Sequence, residues 1–175
     1  VLLGCEPDQD CSNAEQAVAA VQAAGFVVAL TPYLGDVLNA HADVVLPIGT
    51  FAETAGTFVN GEGRWQSFSG VASPVGESRP GWKVLRVLGN LLQVPDCEYV
   101  SADEILTEFR SLVPPVQPHN VVLASSIPPA PTSADISIVA LDIPMYQIDA
   151  VVRRTPALQL TREACAARAS KLETA

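Results

Sequence analysis

The chain has 175 residues, enough for one ordinary domain with a buried core, or for a domain and a tail. Hydrophobic residues make up 49% and charged residues 17%, a balance that argues against a disordered chain. With 19 acidic against 10 basic residues, net charge −9 and no basic run, the chain lacks the positive surface that attracts phosphate backbones, so no nucleic-acid partner is expected.

Mean hydropathy is +0.27, which raises the question of a membrane. The most apolar stretch, residues 17–30, is interrupted by Gln22 and Gly25 and falls short of the ~20 residues of a spanning helix. Membrane association is therefore expected only through a partner. The four cysteines, Cys5, Cys11, Cys97 and Cys165, form no C-x-x-C pair, so they read as free thiols and not as a zinc or iron–sulfur site.

Residues 1–3 are apolar without a preceding cap or signal sequence, and read as a buried strand of a C-terminal fragment. The loop that follows holds Pro7, Asp8 and Asp10, and Ser12 or Asn13 can cap a helix over the alanine-rich residues 14–24, with Gly25 at its C-terminal cap. Residues 26–30 form a second apolar strand, 31–42 a loop and short helix ending at His41, and 44–46 a third strand that Pro47 stops. Strand, helix and strand with short connections make a parallel sheet. The expected fold is α/β: a partial doubly wound, Rossmann-like parallel sheet with flanking helices, followed by a Pro-rich extended C-terminal arm.

Phe58-Val59 and residues 65–68 flank Asn60-Gly61, the signal of a hairpin with a type I′ turn; an irregular extended loop is the competing reading. Residues 77–82 are expected to fix the start of a helix through a charge pair and the buried Trp82 indole. Val84, Leu85, Leu88, Leu91 and Leu92 then mark one apolar face of that helix, packed on the sheet. A further helix over 103–112 has Ser101 as N-cap and Glu104 to complete a capping box. Pro114, Pro115, Pro118, Pro128, Pro129 and Pro131 exclude regular helix, which divides the chain into residues 1–112, a Pro-rich linker over 113–134, and an arm with a terminal helix over 135–175. Within that arm Thr161 caps the last helix, and Arg153-Arg154 either dock on an acidic surface or stay solvated.

Ligands of open parallel sheets sit at the carboxyl ends of strands, where Thr31-Pro32-Tyr33 and residues 47–66 emerge. Gly56, Gly61 and Gly63 have the wrong spacing for a dinucleotide fingerprint, so NAD is not expected here. His41 and His119 are far apart and lack a nucleophile motif, so no catalytic residue is assigned. Glu53, Thr57, Asn60, Glu62 and Arg64 are the one polar constellation. They can hold a polar cofactor through Arg and Asn donors, or serve locally, with Glu62 pairing Arg64 and with Thr57 and Asn60 satisfying turn backbone.

The run ADVVLP, then Glu53, Gly56-Thr57, Asn60, Glu62-Gly63-Arg64 and Gln66, resembles the molybdopterin oxidoreductase superfamily. ESRPGWKVLRVLGNLL over 77–92 and DIPMYQIDAVVRRTPALQLT over 142–161 look most like the molybdopterin-oxidoreductase-like iron–sulfur subunit family of bacterial NADH-quinone oxidoreductase, respiratory complex I. The resemblance implies a scaffolding, C-terminal part of a peripheral-arm subunit in NADH-to-quinone electron transfer coupled to proton translocation, at the cytoplasmic side of the inner membrane. Its partners would be the other peripheral-arm subunits, with the membrane reached only through the complex. The parent's 4Fe-4S and 2Fe-2S clusters would be held by its N-terminal part, and Glu53, Thr57, Asn60, Glu62 and Arg64 would be a vestigial pterin site, with no cofactor and no metal bound in this chain.

Two other functions remain open. An active molybdopterin-dependent oxidoreductase, like formate dehydrogenase or nitrate reductase, would bind its pterin through residues 53–64. A stand-alone acidic binding domain would need neither cofactor nor complex.

Overall fold

The computed structural model of the chain describes residues 1–113 and 145–173. Residues 1–113 lie in one compact unit and 145–173 in a second. The Pro-rich stretch beyond Val113, with His119, and residues 135–144 of the expected arm lie outside the described residues.

The first unit is built on a three-stranded parallel sheet in the order β1 (Leu2–Leu3), β2 (Val28–Thr31), β3 (Val44–Pro47). Ala29 pairs with Leu2 on one side and Val45 on the other, so β2 is central. Helices α1 (Pro7–Asp10) and α2 (Ala14–Ala23) connect β1 to β2, and α3 (Asp36–His41) connects β2 to β3. This is the α/β class that the pattern of strands and helices implies. Ala29 and Leu30 of β2 and Leu38 of α3 are 0%, 1% and 1% exposed, which locates the core on the central strand and the helix behind it. A second link ties the strand starts together: the Val27 N–H donates to Asp43 Oδ2 at 2.6 Å, and the Asp43 N–H donates to the Val27 carbonyl at 2.9 Å.

The caps decide where the first helices begin and end. Asn13 Oδ1 accepts the Gln16 N–H at 2.9 Å at the start of α2, and Glu15 stands in its first turn, where a negative charge suits the helix dipole. Gly25 is not the C-cap. Ala24 takes that place in an extended conformation, so no left-handed residue is needed there and the chain turns straight into β2. His41 ends α3, and its Nε2 lies 3.3 Å from Gln22 Nε2.

Three expectations about burial and extent change. β1 is a strand but not a buried one: it borders only β2, and Val1 and Leu3 are 83% and 52% exposed. Phe26 lies before β2 and is exposed, because β2 begins only at Val28. Pro47 closes β3 from within the ladder, opposite Thr31, since a residue without an N–H is tolerated at a strand's end. Next to it the chain returns as a single bridge between Ile48 and Arg79, with the Gly49 N–H donating to the Arg79 carbonyl at 2.9 Å.

Beyond the sheet come the antiparallel pair β4 (Gly56–Val59) and β5 (Trp65–Phe68), then α4 (Gly81–Leu91) and α5 (Ala102–Leu112). The start of α4 is pressed onto the sheet: a Cβ added at Gly81 would lie 3.6 Å from Leu3 Cδ1 and Ile48 Cδ1. Its apolar face is not covered along its length, however, since Val84 and Leu88 are half-buried while Leu91 and Leu92 are 74% and 75% exposed. The sheet is only three strands wide, too narrow to cover three helical turns. No charge pair between Glu77 and Arg79 is present among the described residues; Arg79 Nη1 donates to the Ser78 carbonyl, and Trp82 is half-buried with Lys83 Nζ 5.3 Å from its ring. Ser101 caps α5 by accepting the Glu104 N–H at 3.2 Å, and Glu104 reaches back to the Val100 N–H at 2.7 Å, one residue earlier than a standard capping box.

In the second unit, two single 3₁₀ turns, Met145–Gln147 and Val152–Arg154, lead into α6 (Pro156–Gln159) and α7 (Arg162–Glu173). They wind about Gln159, which is buried. Its Nε2 donates to the carbonyls of Tyr146 and Val152 at 3.2 and 3.1 Å, and its Oε1 accepts Gln147 Nε2 at 2.6 Å. A buried amide is stable only with its donors and acceptors engaged, so Gln159 fixes the path of all three segments. Arg153 and Arg154 each donate to a carbonyl of the same unit, those of Gln147 and Ala150. Thr161 Oγ1 accepts the Ala164 N–H at 3.4 Å and caps α7.

Candidate functional site

The loop after β3 begins with the sequence Thr50-Phe51-Ala52-Glu53, a Ser/Thr-x-x-Glu pattern. It forms a capping box around the 3₁₀ turn Phe51–Glu53. Glu53 Oε2 accepts the Thr50 N–H at 2.7 Å and the Thr50 hydroxyl at 3.0 Å, while Oε1 accepts the Val75 N–H at 3.2 Å, twenty-two residues on. The Thr50 N–H and then its hydroxyl hold the Glu53 carboxyl below the ordinary glutamate value against a partial opposing effect of burial, and the Val75 N–H adds least. Glu53 is thus spent on its own loop. Gly70 completes the clamp, because a Cβ there would come within 3.1–3.2 Å of backbone atoms of Glu53 and Thr54.

Thr57 lies on β4 opposite Ser67, with the two hydroxyls 3.0 Å apart. At the far end of the hairpin, Asn60 Oδ1 accepts the N–H groups of Glu62 and Arg64 at 3.1 and 2.8 Å. The hairpin is present, but its turn is not the two-residue Asn60-Gly61 type. Asn60 folds a five-residue loop from its side chain, and Gly63 (φ +77°), not Gly61, supplies the left-handed residue. Glu62 and Arg64 do not pair; neither side chain makes a hydrogen bond or ion pair among the described residues.

The structure therefore separates the five sequence-selected residues. Glu53 sits before the base of the hairpin, and Asn60, Glu62 and Arg64 sit at its tip, with the roughly 13 Å length of β4 between at ~3.3 Å per strand residue. Thr57 lies between them. They do not converge on one cradle for a pterin, and Glu53 and the Asn60 carbonyl oxygen already have partners. The Arg64 guanidinium and the Asn60 side-chain amide N–H are the exposed donors left over.

Of the five, Thr57 alone lines a concave surface among the described residues, and the cleft it borders is largely apolar. That cleft of about 250 Å³ is lined by Gly56, Val59, Trp65, Trp82, Ile105 and Phe109. The Trp65 and Phe109 rings stand 5.7 Å apart at 49°, and the Arg110 guanidinium lies 5.3 Å from the Trp65 ring. Adjoining it, and sharing Gly56 and Thr57, a more polar cleft of about 200 Å³ is lined by Ser67, Ser69 and Asp103. Sequence pattern places Trp65 in a hairpin and Trp82 in a helix, but not in one wall, since periodicity carries no information about which elements meet. Thr50 escapes the sequence reading as well, although its spacing to Glu53 is a readable signal. A larger polar cleft of about 600 Å³ lies apart from the hairpin, along Asn90–Tyr99 between α4 and α5.

A model of the molybdopterin oxidoreductase family matches residues 1–91, which contain the sheet, the hairpin and α4. The chain belongs to the molybdopterin oxidoreductase family. All five candidate residues of this family domain fall inside the matched region. Three similar proteins come from Staphylococcus aureus and carry the provisional name formate dehydrogenase. Those of strains MRSA252 and USA300 are 35% identical over 103 residues, and that of strain bovine RF122 / ET3-1 is 36% identical over the same length. Each match covers 59% of this chain and 10% of the relative, so this molybdopterin-family chain spans about a tenth of the length of the proteins that it matches. Among the described residues no helix is long and apolar enough to cross a membrane.

Proposed function

We propose that this chain is a scaffolding segment of the large subunit of a molybdopterin-family oxidoreductase, in which residues 50–75 shape a wall and do not themselves carry redox chemistry. The observation that carries this reading is the Glu53 carboxylate, engaged by Thr50 and Val75 on both oxygens. A side chain so committed positions backbone, and the four residues of β4 stand between it and the loop that carries Arg64.

For the whole enzyme, the names of the relatives favour a formate dehydrogenase-like molybdoenzyme. Such an enzyme removes two electrons from formate at a pterin-held metal, and Arg64 and the Asn60 amide would be this chain's donors to a phosphate or pterin edge. The second reading is the molybdopterin-oxidoreductase-like iron–sulfur subunit of NADH-quinone oxidoreductase, respiratory complex I. It is favoured by the committed Glu53 and by the run 142–161, whose described part holds the turns wound about Gln159. In that reading the parent joins the peripheral arm of a respiratory complex on the cytoplasmic face of the membrane, and carries its iron–sulfur clusters in another part of the subunit.

Counting iron, acid-labile sulfide, molybdenum and released pterin in the full-length parent, beside formate and NADH oxidation, tests these readings. Stoichiometric molybdenum and pterin with formate oxidation support the first parent enzyme. Iron and sulfide without molybdenum, with NADH oxidation, support the second. In a pterin-holding parent, loss of pterin on Glu53→Gln with the fold intact would overturn the scaffolding role.

A further inference from the structure

Cys5 and Cys11 flank α1, a single helical turn. The N–H groups of Gln9 and Asp10 donate to the Glu6 carbonyl at 2.9 and 2.8 Å, and the Glu6 N–H donates to Asp10 Oδ2 at 2.7 Å. The segment closes on itself, and residue 11 returns beside residue 5. Both thiols are free. They also line the same apolar cleft of about 330 Å³, with Leu2, Ala17, Val21 and Phe26. Cys5 is half-buried and Cys11 exposed, so a small reagent reaches one thiol directly and the other stands behind it.

We propose that Cys5 and Cys11 are a dithiol that closes to an intramolecular disulfide on meeting a low-molecular-weight disulfide such as oxidised glutathione. A disulfide spans Cα atoms up to about 7 Å apart, and a closed helical turn with both thiols on one cleft sets Cys5 and Cys11 up for such a bond. Burial first, then the neighbouring Cys11 thiol and the carboxylates of Asp10 and Glu6, push the Cys5 thiol up, so Cys5 keeps its proton. Cys11, the exposed thiol, is the one a dissolved disulfide meets, and it attacks first. Its thiolate displaces one glutathione thiolate and forms a mixed disulfide. Cys5 then gives its proton to solvent and attacks the Cys11 sulfur, releasing the second glutathione. Two protein thiols and one glutathione disulfide become one protein disulfide and two glutathione thiols.

Cys97 and Cys165 serve as internal controls. Cys97 Sγ rests against α4, where a Cβ at Gly89 would lie 2.7 Å from it, and Cys165 Sγ contacts the Gln159 carbonyl at 3.8 Å. Neither has a second thiol as partner among the described residues.

The test is to treat the folded chain with oxidised glutathione, block free thiols with iodoacetamide, and map the disulfides by mass spectrometry after cleavage at glutamate. The expected product is a Cys5–Cys11 disulfide, with Cys97 and Cys165 alkylated or carrying glutathione. In Cys5→Ser the glutathione adduct persists on Cys11. In guanidinium the pairing scatters over all four cysteines, which shows that the folded turn directs it. A stable glutathione adduct on wild-type Cys11 with Cys5 alkylated would overturn the proposal, as would a folded chain whose pairing is as scattered as the unfolded one's.

Discussion

In the parallel sheet, Ala29 and Leu30 are closed off from water and the strands are held in register by a continuous ladder. In residues 50–75 most large side chains face solvent, Phe51, Phe58, Val71 and Val75 among them, and the path is set by a few atoms of Glu53, Asn60 and Gly70. The first region depends on area removed from water, which is spread over many contacts and insensitive to pH. The second depends on single hydrogen bonds and one close backbone approach, so it fails at particular atoms and under particular conditions. Within one unit, the sheet is the robust part and the hairpin region the conditional part.

Leu30→Ala should cost the most. A fully buried leucine loses its transfer free energy and leaves a cavity, which amounts to about 2–5 kcal/mol in equilibrium unfolding by denaturant. A loss of under ~0.5 kcal/mol, the scale of a surface change, would mean that the sheet is not the anchor of this unit.

Gly70→Ala comes next, at about 1–3 kcal/mol, because the new methyl group meets backbone of Glu53 and Thr54 and cannot be relieved by a side-chain rotation. The strain should open the loop and leave the sheet intact. Hydrogen exchange should therefore rise at Val75 and Glu53 while protection at Ala29 and Leu30 is unchanged.

Glu53→Gln should have the smallest effect, and it sharpens the contrast through pH. The folded carboxyl is held below its unfolded value, so its contribution is present above the unfolded value and is lost as pH falls through the folded one. As pH falls below the ordinary glutamate range the loop should loosen in the wild-type chain, seen as faster exchange of the Val75 N–H. The Gln variant should show no such step. An unchanged step in Glu53→Gln would assign the titration to another carboxylate.

Much of the α/β organisation is legible from local pattern. Apolar runs ending at Thr31 and Pro47, alanines between Asn13 and Gly25, and Ser101 ahead of Glu104 each state an element within a few residues of chain. The hairpin is legible as a hairpin, yet Asn60-Gly61 names the wrong turn, because Asn60 Oδ1 captures two N–H groups that a two-residue turn would not present. Glu53, by its residue type alone, reads as a polar group seeking a ligand. One of its partners, Val75, lies twenty-two residues on, and no short-range rule reveals that pairing.

Sequence by itself determined which segments are strands and helices, since side-chain period, caps and the missing N–H of proline act over one or two turns of chain. It also determined the family, through spaced polar and glycine residues that a model of that family matches. Tertiary structure decided what covers what: that β1 is an edge, that α4 keeps Leu91 and Leu92 in water, that Trp65, Trp82 and Phe109 form one wall, and that Glu53 and Arg64 stand apart. Burial and side-chain partnership are set by elements distant in sequence meeting in space, and that meeting depends on the summed free energy of the whole packing and not on any single stretch.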